Sequence, residues 1–317
     1  MSKTDDVLSL IKEGYSLNEI PHLLSLNIRE YNDILKQIKD WGYNFNKIIT
    51  STGQIILKPN RTLNIDNNPR RLRINIKDRL FRCIFISDLH IGSIYERPKL
   101  LPKVFEYAKV HDIHVIINAG DTVDNIYPDS NQVLVNKTLP SQIKKLIRVY
   151  PYSEDIITLN LGGNHEYKSI IEDGYDILRK VESTRYDMVS LGYGMCKILL
   201  KDDAIAVIHD LKKSNKIEVP NDVSMIYKGH SHKAKNSYKE QKKTFIPAFS
   251  EDGTSAYEYK PLMGFLDVQY IFYDKLIERI NTKQLAIING QIRQANEESV
   301  VLRKVPRSRP VDKKAWI

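Results

Sequence analysis

From Arg82 onward, short apolar runs alternate with longer amphipathic stretches. Residues 83–86, 115–117 and 156–161 are apolar or mostly apolar runs and read as strands. Residues 98–110, a stretch within 130–149, and 169–183 have the spacing of helices. This alternation predicts βαβ units and therefore an α/β domain. After Met188 the pattern becomes strand-rich, with runs at 197–200, 204–208, 223–227, 244–246 and 264–272. Residues 274–300 fit helix or strand equally well.

The first sixty residues have another rhythm. Residues 5–13 predict a short helix closed by Gly14, a residue suited to the left-handed turn after a helix. Ser16 and Glu19 have capping-box spacing and open a second helix to about Leu24, with Pro21 an irregularity near its start. A third helix is predicted over 28–41, with Tyr31, Ile34, Leu35 and Ile38 on one face and Gly42 at its end. Residues 47–50 and 55–57 then predict a hairpin across 51–54. Three helices and a hairpin are the outline of a small winged helix-turn-helix-like domain. Its third helix carries Arg29, Lys36, Gln37 and Lys39, diluted by Glu30, Asp33 and Asp40. Such a unit serves nucleic-acid binding or protein docking.

The expected organisation is a front domain over 1–60, a basic linker over 61–81, a catalytic domain over 82–275, and an extension over 276–317 with a basic tail. Charge sharpens this division. The formal net charge is +9, yet residues 70–82 and 301–317 each carry +5, so the rest of the chain is close to neutral. Basic segments of this kind attract polyanions such as nucleic acid. Hydrophobic content of 42% and charged content of 27% suit a soluble globule. No apolar run resembles a signal peptide or a membrane span, so a cytoplasmic protein without membrane contact is expected. Cys83 and Cys196 lie in apolar runs and are expected to be reduced core residues.

Candidate chemistry follows the strands. Asp88 and His90 come just after 83–86, and Asp121 and Asp124 after 115–117. Asn164, His165 and Glu166 follow 156–161, His209 follows 204–208, and His230 and His232 follow 223–227. Open α/β sheets gather their sites where loops converge at the carboxyl ends of strands, so these loops are expected at the rim of a single sheet. Mixed carboxylate, imidazole and amide donors suit divalent Mn, Fe or Zn, with Mn favoured. The donors exceed the needs of one ion and match two ions that share a carboxylate. Glycines at 120, 163 and 229 let the backbone turn close to the ions.

Together, D-x-H, G-D-x-x-D, G-N-H-E, a lone His and G-H-x-H resemble the calcineurin-like metallophosphoesterase superfamily over about residues 82–275. The resemblance implies a β-sandwich flanked by helices (α/β/β/α). It implies one metal held by Asp88, His90, Asp121 and His232, and a second held by Asp121, Asn164, His209 and His230. His165 matches the histidine that protonates the leaving group, and Glu166 the acidic position beside it that would orient it. Asp124 matches a position often occupied by Asp or Asn. Asp210 and Leu211 stand where the family usually has glycine, which bears on substrate shape.

The expected activity is hydrolysis of a phosphate ester, foremost a phosphodiester in nucleic acid, by a hydroxide bridging two metals. Ser87 to Ser93 resembles the nuclease branch. Two alternatives stand beside it. One is a phosphomonoesterase or protein phosphatase, although Asn125-Ile126 replaces the Arg-Gly of serine/threonine phosphatases. The other is a phage-type DNA-associated regulatory protein that uses the fold to bind a recombinase or DNA.

Overall fold

A computed structural model describes residues 2–41, 43–60, 71–127, 132–211, 217–232, 236–237, 242–251 and 263–303. Gly42, residues 61–70 of the basic linker and residues 304–317 of the basic tail lie outside the described residues.

Three helices come first: α1 (Lys3–Glu13), α2 (Glu19–Leu23) and α3 (Ile28–Asp40). Ser2 and Asp5 cap α1 reciprocally, Gly14 closes it in the left-handed region at φ 93°, and Asn27 and Glu30 cap α3. The chain then runs through β1 (Asn44–Thr50), β2 (Ile55–Asn60), β3 (Arg71–Asn75), β4 (Leu80–Ile86), α4 (Leu101–Val110) and β5 (Val115–Asn118). Next come α5 (Leu139–Val149), β6 (Ile157–Gly162), α6 (Asn164–Asp173), α7 (Ile177–Glu182), β7 (Met188–Tyr193), β8 (Met195–Leu200) and β9 (Asp203–Ile208). The last elements are β10 (Met225–Lys228), β11 (Asn236–Ser237), β12 (Lys243–Phe245), β13 (Gly264–Tyr273), β14 (Leu276–Ile288) and β15 (Gln291–Val301).

The strands form two sheets. One has seven strands in the order β15-β14-β13-β4-β5-β6-β7, and the other has eight in the order β11-β12-β10-β9-β8-β3-β1-β2. The period of two along β4 explains the layering. Phe81, Cys83 and Phe85 face the core between the sheets, and Ile84 and Ile86 face the helices. On that outer face α4, α5 and α7 contribute Val104, Phe105, Ile143, Leu146 and Val181. The outer face of the eight-stranded sheet has a smaller cluster of Ala206, Ile208 and Ile226. The fold is thus the expected mixed α/β sandwich of two sheets and helices. Cys83 and Cys196 are both buried thiols. Among the described residues, no helix is long and apolar enough to cross a membrane.

Sheet pairing runs across the expected boundaries at 60 and 275. The predicted hairpin is present as β1 and β2, but β1 also pairs in parallel with β3, matching Ile49 to Ile74. Val7, Ile11, Ile20, Tyr31, Ile34 and Ile38 of the front helices bury into the same core as Ile49, Leu57 and Cys83. The front unit is therefore built onto the sandwich, because the apolar face of α1 and α3 has that core to cover. At the other end, the ambiguous stretch 274–300 is a pair of long antiparallel strands, β14 and β15, continuing the seven-stranded sheet past residue 275. The stretch 169–183 holds two helices rather than one, separated where Gly174 takes φ 63°.

Candidate metal centre

Five loops converge, and they come from two sheets rather than from the rim of one. The loops after β4, β5 and β6 leave the seven-stranded sheet, and those after β9 and β10 leave the eight-stranded sheet. All five follow parallel strand ends. Backbone bonds tie the loops together beyond the strands. Asp88 N donates to Gly120 O (2.9 Å) and His90 N to Asp121 O (3.0 Å). The two sheets are stitched at Gly194, whose N–H reaches Gly162 O (2.9 Å) and whose carbonyl accepts from His209 N (2.7 Å).

The side chains fall into overlapping groups. Asp88, His90 and His232 bring one ligand atom each to within 4.8 Å of one another, as do Asp121, His209 and His230. A third group, His90, Asp121 and His165, links them. His232 Nε2 is 3.4 Å from Asp88 Oδ1 and 3.3 Å from His90 Nε2. His209 Nε2 is 2.9 Å from Asp121 Oδ2 and 3.2 Å from Asn164 Oδ1. The other ring nitrogen of His209 faces Ala119 O at 2.7 Å, which fixes Nδ1 as the protonated one and leaves Nε2 for the centre. Asp88, His90, Asp121, His230 and His232 all have positive φ, between 46° and 71°. Clustered backbone strain of this kind marks functional sites. Gly163 is required by space alone, since a Cβ there would lie 2.2 Å from Asp121 Oδ1.

The electrostatics call for cations. Asp88 and Glu166 are fully buried and Asp121 is 2% exposed. Among the described residues, the ion-pair partners of Asp88, Asp121 and Asp124 are all histidines. Burial alone would raise the Asp88 carboxyl, but the charges of His232 and His209 prevail and hold it at about 2. Burial likewise opposes ionisation of Asp121, and His209 and His165 carry it well below the usual carboxylate range. Burial disfavours the charged form of His209, yet Asp121 and Asp88 push its pKa up to about 10. Asp88 Oδ1 is buried without a hydrogen bond, although His232 Nε2 lies 3.4 Å away. A buried acceptor facing two imidazoles fits a divalent ion, since buried charges are otherwise costly.

His165 sits in the first turn of α6, where its N–H donates to Asp121 Oδ1 (3.0 Å). Its Nδ1 donates to the carbonyl of Asp124 at 2.5 Å, so Nε2 faces the centre, 3.8 Å from Asp121 Oδ2. Asp124 also takes His90 Nδ1 on its carboxylate at 2.9 Å. It thereby fixes two imidazoles, and Gln132 Nε2 holds it in turn (2.8 Å). Glu166, expected to orient His165, is engaged by backbone amides. Its carboxylate accepts the backbone N–H groups of Asp121, Val123 and Gly163, which pins the loop after β5 to the start of α6. Burial and the charge of Asp121 push its pKa up. No sequence signal could separate these roles, because both depend on which amides the fold brings near each carboxylate. Asp210 pairs with Lys228, and Leu211 lines a groove of about 340 Å³ with Tyr127, Asn164, Tyr167, Lys168 and His230.

The sequence pattern described as calcineurin-like phosphoesterase matches residues 81–240. No curated protein matches the chain. Among solved structures, vacuolar protein sorting 29 from Cryptosporidium parvum aligns at 11% identity and TM-score 0.42, over 71% of this chain and 100% of that one. A phosphoesterase, YfcE, from E. coli aligns at 14% identity and TM-score 0.36, over 62% and 96%. A dimetal phosphatase from Danio rerio aligns at 8% identity and TM-score 0.40, over 70% and 98%.

Proposed function

We propose that this chain, which belongs to the calcineurin-like phosphoesterase family, is a two-metal phosphodiesterase acting on nucleic acid. Membership makes it a metal-dependent hydrolase of phosphate esters. The observation that carries the finer reading is the overlap of the ligand groups at Asp121, which lies within reach both of His90 and of His209 and His230. On this reading Asp88, His90, Asp121 and His232 hold one ion, and Asp121, Asn164, His209 and His230 hold the other. The donor set suits Mn, Fe or Zn, with Mn favoured. When bound, two such ions lower the pKa of the attacking water and neutralise charge on the phosphoryl oxygens.

The chain's own residues complete the chemistry. The Asp124 carbonyl accepts from Nδ1–H of His165, so in the imidazolium form the second proton, on Nε2, would face the departing ester oxygen. The water oxygen bonds to phosphorus, the P–O ester bond breaks, and His165 passes its proton to the leaving oxygen, which departs as an alcohol. The proton released from the attacking water goes to solvent, and a solvent proton later restores His165.

A diester is favoured over a monoester for two reasons. The groove beside Asn164 and His230 leaves room for a second ester substituent. Asn125, where a phosphatase would carry arginine, spends its amide on the carbonyl of His165 (2.7 Å) and offers no guanidinium to a terminal phosphate. The test is a screen with Mn, Fe and Zn on bis(p-nitrophenyl) phosphate, p-nitrophenyl phosphate and a labelled single-stranded oligonucleotide. Turnover of the diester and the oligonucleotide above the monoester is expected. Turnover of the monoester alone would make the protein a phosphomonoesterase. Salt-sensitive DNA binding with no turnover would make it a regulatory protein.

A further inference from the structure

The groove beside the centre has a particular chemical character. Tyr127, Tyr167, Lys168, Ile171, Glu172 and Leu211 form its walls, and His230 and Asn164 join it to the proposed ligands. The half-buried Tyr127 ring packs against the His165 imidazole in a T-shaped contact, 4.8 Å between centroids at 63°. Lys168 Nζ lies 5.1 Å from the centre of the same ring and pairs with Glu172. Tyr167 is also half-buried and leans on Tyr193, with ring centroids 5.9 Å apart. Leu211 closes the far wall in place of the smaller residue its position usually has. The volume of about 340 Å³ is at the small end of ligand pockets, which run from roughly 300 to 1,000 Å³.

Aromatic rings and aliphatic walls, with the Lys168–Glu172 pair at one side, next to the histidine proposed to protonate the leaving group, match a flat π-system. An aliphatic alcohol would gain little from the rings, and a bare phosphate little from Ile171 and Leu211. We infer that this groove holds one unstacked nucleobase flanking the scissile phosphate, with Tyr127 as its platform. The inference rests on the phosphodiesterase reading and narrows it to single-stranded or frayed substrate. A base inside a duplex stack cannot reach a side-chain ring without first leaving the stack. Base–aromatic stacking is sequence-tolerant, so the subsite selects for a base rather than for a particular one.

The test compares oligothymidylate with an abasic oligomer of the same length and phosphate spacing, under metal-loaded conditions. The wild-type chain is expected to show kcat/KM about tenfold or more higher on oligothymidylate. Tyr127→Ala is expected to collapse that ratio towards one, and Tyr127→Phe to restore it, since the ring and not the hydroxyl does the stacking. Metal content of Tyr127→Ala, read by elemental analysis, separates lost stacking from a damaged centre. A wild-type ratio within twofold of one overturns the base subsite while leaving the phosphodiesterase reading intact. So does a Tyr127→Ala ratio equal to that of wild type with metals retained. Absence of turnover on either oligomer and on bis(p-nitrophenyl) phosphate overturns both.

Discussion

Asp121 touches more of the centre than any other side chain. One carboxylate oxygen receives the N–H of His165, and the other faces His209 and His165 Nε2. Asp121→Asn is expected to lose both metals together, and activity with them, as read by elemental analysis beside turnover. His165→Ala is expected to keep both metals and lose roughly 10²–10⁴-fold in kcat, the usual share of a general acid. His209 predicts a pH dependence with a definite sign. Its folded pKa of about 10 lies above the ordinary 6.5, so its contribution to stability is whole below about 6.5 and is lost as pH rises through about 10. Metal-stripped protein should therefore melt at falling temperature across that window. Metal loading needs the neutral imidazole, so it should release a proton near pH 8 and flatten the profile. An unchanged midpoint from pH 6.5 to 10 in stripped protein would contradict the assignment. The residues that meet in these clusters were legible in the sequence as carboxylate, imidazole or amide directly after a strand. The separate jobs of Asp124 and Glu166 were not, because hydrogen-bond partners forty residues away decide them.

Secondary elements show a similar division. The strands that lead into the centre were readable because burial on both faces forces a continuous apolar run. β15 was not, since its side chains are mostly exposed and polar and only pairing with β14 holds it as a strand. The front helices and hairpin were visible as local patterns. Their attachment to the sandwich was hidden, because the parallel pairing of β1 with β3 spans residues 61–70 and leaves no local mark. That attachment makes a prediction. Ile49 of the hairpin is fully buried and pairs with Ile74 of β3, so Ile49→Ala should cost about 2–5 kcal/mol. The loss should appear in the unfolding transition of the catalytic body, followed by denaturant titration with activity and fluorescence together. Two separate transitions, only one of them shifted, would mean that the front unit folds alone. The exposed face of α3 alternates Arg29 and Lys36 with Asp33 and Asp40, and Asn32 donates to Ser183 O (2.8 Å). We therefore propose that α3 acts chiefly as a brace for the body rather than as a reader of DNA.

On the scale of the whole molecule, two sheets contribute different halves of one centre. The seven-stranded sheet brings the carboxylates Asp88 and Asp121 with His90, Asn164 and His165, and the eight-stranded sheet brings His209, His230 and His232. Sandwich packing is thus part of the chemistry, because sliding one sheet against the other would separate imidazole from carboxylate. The sequence pattern specified the loops but not that they approach from two layers, since strand order is set by pairings between distant segments. The most direct measurement is anomalous diffraction from crystals grown with manganese. Two peaks roughly 3.5–4 Å apart, both within bonding distance of the Asp121 carboxylate, are the result expected of a shared bridging ligand. A single peak, or two peaks of which only one borders Asp121, would contradict it.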